Sequence, residues 1–421
     1  IAAHAENPKF IDLEVARFDE LEPTLRVFER MLHDFPQLNL GIALPDAFPD
    51  SLPALRRVAE MARKRRIRRG AMATVRITRG EFLLEERSVA EQHGWSSAVF
   101  ASTAERDAHH IRLLDFALHP AQTAALRVIS ATHDLYLTAF AWRLARARGV
   151  ERSLEHEFRL GIATSDVEVV KRDVGGVRIL APVMHAGQLP LVAPYLIRRL
   201  NDLSSAGSAH SAAAETGAEG AQFLPAERGF LAALEDSRRP AVASLRHQNF
   251  VRTEVADFAN PATREWALGL LERSRDSAAG EALLARSAVA DLPALEALVS
   301  NAIGLGHSWS ERRGSTRAAV LDSVAEVFAE WRGLLAEVAV SESGFRIEDA
   351  DDDVTIAIQL AVNAARTARE LDSIAGATYI PPRLVVVVSP RSCAVPTLAG
   401  TVLAALAAGS AVIIKTAPET R

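Results

Sequence analysis

Apolar and polar positions along the first half of the chain switch between two periods. Short runs crowded with apolar residues predict β-strands: FIDLEV (10–15), LGIALP (40–45), ATVRIT (73–78), RVISATH (127–133), HEFRLGI (156–162) and VRILAPV (177–183). Between them, LEPTLRVFERML (21–32), SLPALRRVAEMARKR (51–65) and LYLTAFAWRLARAR (135–148) carry helical spacing. In the first of these, Leu25, Phe28 and Leu32 fall on one face. Such alternation implies parallel strands joined by crossovers, hence an α/β barrel or a doubly wound sheet. No Gly-rich dinucleotide fingerprint follows the first strand, and about six units fit a (β/α)8 barrel lacking its first two strands. Barrels gather their chemistry at the C-terminal ends of strands. That singles out Arg76 and Arg79 in VRITRG, Thr132, His133 and Asp134 in SATHD, and the loop after Pro182.

The pattern then breaks. Residues 204–222 are Ala/Ser/Gly-rich and aperiodic, as a linker would be. Helical spacing resumes near 224–236 and 262–276, and one long amphipathic helix is expected from Ser315 to Val340. Its Leu321, Val324, Phe328, Trp331, Leu335 and Val338 form a stripe, and Gly344 is placed to end it. The tail reads as a βαβ unit: LVVVV (384–388), an Ala-rich helix near 396–408, then AVIIK (411–415). Five consecutive apolar residues predict a first strand buried on both faces. Ser389 to Ala394 and Lys415 then lie at the ligand-binding ends of the strands. Ser392 to Ile414 is uncharged and long enough to span a bilayer. Pro396 and Gly409-Ser410 punctuate it instead as loop, helix, cap and strand.

Charge and composition narrow the classes. A net charge of -5 gives no sign of a nucleic-acid binder, and the one basic run, Arg63 to Arg69, reads as a solvated helix face. A single cysteine, Cys393, excludes an internal disulfide framework and fits a reducing cytoplasm. The twelve histidines lack ligand spacing, so no metal site is expected. The chain opens on Ile1 without a signal-peptide pattern and stops at Arg421 directly after a strand, as an internal stretch would.

Residues 383–420, PRLVVVVSPRSCAVPTLAGTVLAALAAGSAVIIKTAPET, resemble the start of the NAD-binding domain of aldehyde dehydrogenases. Residues 10–203 resemble the later part of the proline dehydrogenase barrel, through FIDLEVARFDELEPTLRVFERML, LPDAFPDSLPAL, VRITRG, SATHD, EFRLGI and APVMHAGQLPLVAPYLIRRLND. The two signatures in this order, with NPATREWALGLL (260–271) between them, are similar to bifunctional proline-utilisation enzymes. The resemblance implies a partial (β/α)8 barrel (1–203), a linker with connecting helices (204–285), and the start of a Rossmann-like aldehyde dehydrogenase domain (286–421). It further implies FAD and NAD as cofactors, and L-proline and glutamate semialdehyde as small-molecule substrates. Arg198 and Arg199 match the pair that grips the substrate carboxylate, and guanidinium forks suit that role. Arg76 matches the arginine set against the flavin, and Thr132 and His133 match flavin contacts. Lys415 matches the lysine on the NAD ribose.

Departures from the resemblance are numerous. The family's active-site lysine is Arg79 here, its following aromatic is Phe82, and the acidic residue of the third-strand motif is Glu14. The flavin-contacting Gln of Gln-Ala-Tyr falls at Pro45, the Asn after the histidine at Asp134, the next strand's Gln at Arg159, and the substrate-covering Tyr at Leu180. In the tail, Ser392 stands where the family has its oxyanion-hole Asn, and Cys393 is not the nucleophile, which the family carries downstream of Arg421. An alternative reading is therefore a degenerate, non-catalytic barrel kept as a scaffold or oligomerisation module; homo-oligomerisation itself is left open. A barrel short of two strands exposes sheet edges and predicts that the isolated 421-residue chain self-associates. Light scattering checks this, and a soluble, cooperatively unfolding monomer would contradict it.

Overall fold

The computed structural model describes residues 9–79, 83–160, 164–181, 223–242, 246, 254–376, 379–390 and 394–417, with scattered positions between 183 and 197. The chain divides into two compact units, 1–246 and 247–421. In the first, strands β1 (Phe10–Glu14), β2 (Asn39–Pro45), β3 (Ala73–Thr78), β4 (Leu126–Ala131), β5 (Leu154–Arg159) and β6 (Arg178–Leu180) form one parallel sheet in chain order. Helices α1 (Leu21–Asp34), α2 (Ser51–Ile67), α3 (Leu83–His93), α4 (Thr103–Ala117), the short α5 (Pro120–Thr123), α6 (Leu135–Ala147) and α7 (Thr164–Val174) supply the crossovers. Helix α8 (Phe223–Asp236) packs on α4 and α6.

Alternation along the strands gives the sheet two unlike faces. Leu40, Ile42, Leu44, Val75, Ile77 and Val128 are fully buried, the apolar set expected beneath helices. The other face carries Phe10, Asp12, Arg76, Glu157 and Arg178. The guanidinium of Arg178, on the last strand, lies 5.2 Å from the ring centroid of Phe10, on the first. Edge strands five positions apart in the sheet touch only if it curls, so the unit is a partial (β/α) barrel with the charged face inward.

The basic run at the end of α2 is not wholly solvated, as its charge pattern suggests. Arg65 is buried, and its guanidinium donates to the carbonyls of Phe35, Pro36 and Leu38, closing the α1–β2 turn. Buried carbonyls need donors, and a long cationic side chain supplies several at once.

The second unit contains α9 (Pro261–Ser274), α10 (Glu281–Ser287), α11 (Leu292–Ser310), α12 (Gly314–Glu330), α13 (Arg332–Ser343), α14 (Ile347–Leu371), β7 (Leu384–Val388), α15 (Ala394–Ala408) and β8 (Ala411–Lys415). The helix expected over 315–340 is two helices, broken at Trp331 (φ -90, ψ 9). The break leaves Trp331 half exposed and turns Arg332 inward onto Asp351, which explains why the apolar stripe does not run through it. Gly344 ends α13 in the left-handed region (φ 66), as its placement predicts. Strands β7 and β8 pair in parallel, but Val386 and Val388 are exposed. The expectation of burial on both faces is not met at these two positions of the two-stranded sheet. None of the described helices is long and apolar enough to cross a membrane.

Small residues let α12, α14 and α15 approach closely. Ala318, Ala325, Ala357, Ala361, Ala365 and Ala368 are buried at their contacts. At the start of α12, Asp372 accepts from the N–H groups of Gly314 (2.8 Å) and Ser315 (3.1 Å), capping the helix from the end of α14. A Cβ at Gly314 would lie 1.9 Å from the Ala368 carbonyl oxygen. Gly314→Ala is therefore expected to destabilise the second unit by about 2 kcal/mol or more, read by urea denaturation. A wild-type midpoint would refute the close approach.

Candidate active site

Three strand ends of the first unit build the site. On the inward face, Arg76 Nε donates to Glu157 Oε1 at 2.8 Å, and its Nη1 lies 3.5 Å from Asp12 Oδ2. The Arg76 side chain is 9% exposed and that of Glu157 5%, so water screens the pair weakly. Burial lifts Asp12 to about 6 against the opposing pull of Arg76, with Glu157 and Glu14 adding to the rise. Its Oδ1 has no hydrogen-bond partner and packs against Gly41, where a Cβ would come within 2.5 Å. Asp12 and Glu14 share this face with Arg76; Asp12 is the one in contact with it, and Glu14, the residue matched to the family's acidic position, is exposed.

A second cluster lies at the rim. Asp46, just past β2, is fully buried. Arg79 Nη1 lies 3.1 Å from its Oδ2 and 2.6 Å from Asp107 Oδ1. His110 Nδ1 lies 3.0 Å from the same Oδ2, and Arg106 Nε 3.9 Å from Oδ1. Burial alone would raise Asp46, but the Arg79 charge, the His110 hydrogen bond and the Arg106 charge outweigh it and hold the carboxyl well below the usual carboxylate range.

Past β4, Thr132 is buried and its Oγ1 accepts from the Asp134 N–H at 3.0 Å. Asp134 caps α6, taking the N–H groups of Tyr136 (2.9 Å) and Leu137 (3.1 Å). His133 Nε2 accepts from the Arg159 N–H at 3.2 Å, which puts that ring's proton on Nδ1. Arg76 meets Glu157 on the same strand that His133 meets at Arg159, so β5 joins the ends of β3 and β4.

In the second unit, Lys415 is exposed at the end of β8, its Nζ 3.3 Å from the Thr416 carbonyl. Ser389 is buried after β7, and its N–H donates to the Lys415 carbonyl at 2.9 Å. Arg198, Arg199 and Ser392 lie outside the described residues. Asp12, Asp46 and Glu157 are the site residues that strand patterns alone miss. Asp12 and Glu157 share the alternation phase of Arg76 on their strands, so a register would have found them. Nothing in the sequence marks Asp46, which becomes visible only through the fold. Among the described residues no three His, Cys, Asp or Glu side chains gather as a metal site.

An inward-charged partial barrel followed by a helical unit ending in a βαβ motif defines a tandem α/β protein. Residues 1–209 match the proline dehydrogenase family and residues 274–421 the aldehyde dehydrogenase family. The two families follow one another in this order, and the chain is similar over its whole length to proline utilization proteins. It is similar to proline utilization A from Corynebacterium freiburgense (30% identity, TM-score 0.77, 100% of this chain and 41% of that one). It shares its fold with the Bdellovibrio bacteriovorus protein inactivated by N-propargylglycine (22%, 0.74, 98% and 46%). A Bradyrhizobium japonicum variant also matches (20%, 0.70, 98% and 42%). The chain spans less than half the length of each. No curated protein sequence matches it.

Two buried histidines give this unit an acid-sensitive term. Burial pushes His109 and His156 down to about 4. Their folded values lie below the unfolded value of 6.5, so the unfolded chain takes up protons first and stability falls as pH drops from about 6.5 to about 4. Each contributes up to about 3 kcal/mol. Asp12, raised when folded, has the opposite sign and offsets part of the loss below about pH 6. Urea midpoints should therefore fall between pH 7 and pH 5, and less steeply in His156→Leu. Equal slopes in the two proteins would refute the assignment.

Proposed function

We propose that the chain serves proline catabolism. The first half (1–203) carries FAD-dependent oxidation of L-proline to 1-pyrroline-5-carboxylate. The part from 286 onward begins the NAD-dependent oxidation of L-glutamate γ-semialdehyde to L-glutamate, with 204–285 as connector. The reading rests on one observation above all: a buried Arg76 on the inward face of a partial barrel, in a segment of the proline dehydrogenase family.

The donors at the strand ends fit a flavin. Arg76 offers a fixed guanidinium, Thr132 a buried hydroxyl, and His133 an imidazole oriented by the Arg159 N–H. Pro45 would offer a bound flavin no side-chain donor. Bound FAD supplies the two-electron acceptor for the hydride that leaves proline. A fixed cation at Arg76 stabilises negative charge that develops beside it, and weak screening strengthens the effect. Asp12 Oδ1, buried and unpartnered, is the atom on which this site holds or releases a proton near neutral pH. The substrate carboxylate is assigned to the guanidinium forks of Arg198 and Arg199. In the second unit, the exposed Lys415 ammonium suits a ribose hydroxyl of NAD, and Ser392 is assigned the oxyanion-donor position. The single cysteine fits a cytoplasmic setting.

The test is FAD uptake, followed by flavin fluorescence quenching with and without tetrahydro-2-furoate, a carboxylate analogue of proline. Arg76→Lys keeps the charge but loses the fork, and should weaken FAD binding by about tenfold, the scale of one charge-assisted hydrogen bond. Protein that stays colourless with added FAD would sink the flavin reading.

A further inference from the structure

The rim cluster is built around Asp46, a residue that the proposed chemistry does not use. Its N–H donates to the Thr78 carbonyl at 2.9 Å, which locks it at the join of β2 and β3. Its carboxylate is fully buried and receives Arg79, His110 and Arg106 at 3.1, 3.0 and 3.9 Å. Asp107 takes the same Nη1 of Arg79 at 2.6 Å. Leaving His110 aside, the cluster holds two guanidiniums and two carboxylates, so its formal charges cancel. A buried charge without such compensation would be strongly disfavoured.

We infer that Asp46 is a positioning residue that commits Arg79 to this neutral cluster at the rim, so that Arg79 does not serve as the site's catalytic or anion-gripping cation. The Nη1 of Arg79 is shared by two carboxylates whose charges offset its own, whereas one of the two acids beside Arg76 stands off at 3.5 Å with its carboxyl raised to about 6. Arg79 acts instead as a brace between the end of β3, the end of β2 and helix α4. The anion-binding power of the barrel then rests on other guanidiniums. The inference deepens the proposed flavin reading and rests on it for one of two readouts.

The experiment is a double-mutant cycle on the full chain: Asp46→Asn, Arg79→Met and both together. The first readout is the urea midpoint, which needs no flavin. Asp46→Asn leaves one uncompensated positive charge and should lower the midpoint; adding Arg79→Met restores neutrality and should raise it again. Strictly additive effects would overturn the cluster as a unit. Should Asp46→Asn fail to fold, recovery of folded protein in the double variant supports the inference, and failure there too overturns it. The second readout is affinity of the FAD-loaded protein for tetrahydro-2-furoate. Arg79→Met should stay within about threefold of the parent, while Asp46→Asn should bind the analogue several-fold more tightly. A tenfold or greater loss in Arg79→Met, with the parent binding normally, would overturn the inference while leaving the flavin reading intact. A parent that takes up no FAD would sink the flavin reading, and the urea cycle would still decide the role of Asp46.

Discussion

A guanidinium taken out of water must find acceptors, and each of the two units holds one that is met by carboxylates. In the second unit Arg332 is 2% exposed, and its Nε and Nη2 each lie 2.6 Å from an oxygen of Asp351. The same Nη2 reaches Thr355 Oγ1 at 2.8 Å, and Asp351 Oδ2 also accepts from the Ala256 N–H at 3.0 Å. One bidentate pair thereby ties the start of α13, the first turns of α14 and the segment ahead of α9. Removing one partner of such a pair costs about 3–5 kcal/mol, because the other is left buried and charged. The kink at Trp331 accompanies it: Arg332 is turned inward while its neighbour is half exposed, out of the apolar stripe.

Arg76 meets the same requirement less completely, and the contrast separates a brace from a site. Its bond to Glu157 is short, but Asp12 stands off at 3.5 Å with one oxygen unpartnered and its carboxyl raised to about 6. Fully satisfied networks rigidify, whereas partly satisfied ones keep capacity for another group. Asp351 has no such slack. The Arg332–Asp351 pair and the pair at the proposed site therefore differ in how much of their hydrogen-bonding potential the protein itself consumes.

Period-two and helical spacing made the strands legible to within three residues, because each barrel strand buries one apolar face under helices. The site was less legible. Arg76, Thr132 and His133 sit at strand ends, where barrel topology alone would look, and the resemblance to proline dehydrogenase named them. Asp46 carried no signal, since its importance comes from Arg106 and His110, about 60 residues away in sequence, arriving on α4. Arg65 misled for a similar reason: a charge run predicts solvation, yet one member turned inward onto carbonyls. The exposed Val386 and Val388 show the converse, since five apolar residues record a strand's preference for burial and not what lies against it.

The departures at positions 45, 134 and 159 look severe as side-chain changes but are mild as structural ones. Pro45 still presents its carbonyl, which accepts from Ser51 Oγ at 2.6 Å. Asp134 meets Thr132 through its own N–H, and its carboxylate caps α6 as an asparagine amide oxygen would. Arg159 holds His133 through its backbone N–H, which any residue other than proline supplies. The strand ends are therefore positioned by main-chain atoms, and substitution at these three places leaves the frame standing while changing what faces the ligand. Divergence concentrated at such positions alters donors and charges first and the fold last. That is the pattern expected where a barrel keeps its architecture and its chemistry is adjusted at the strand ends.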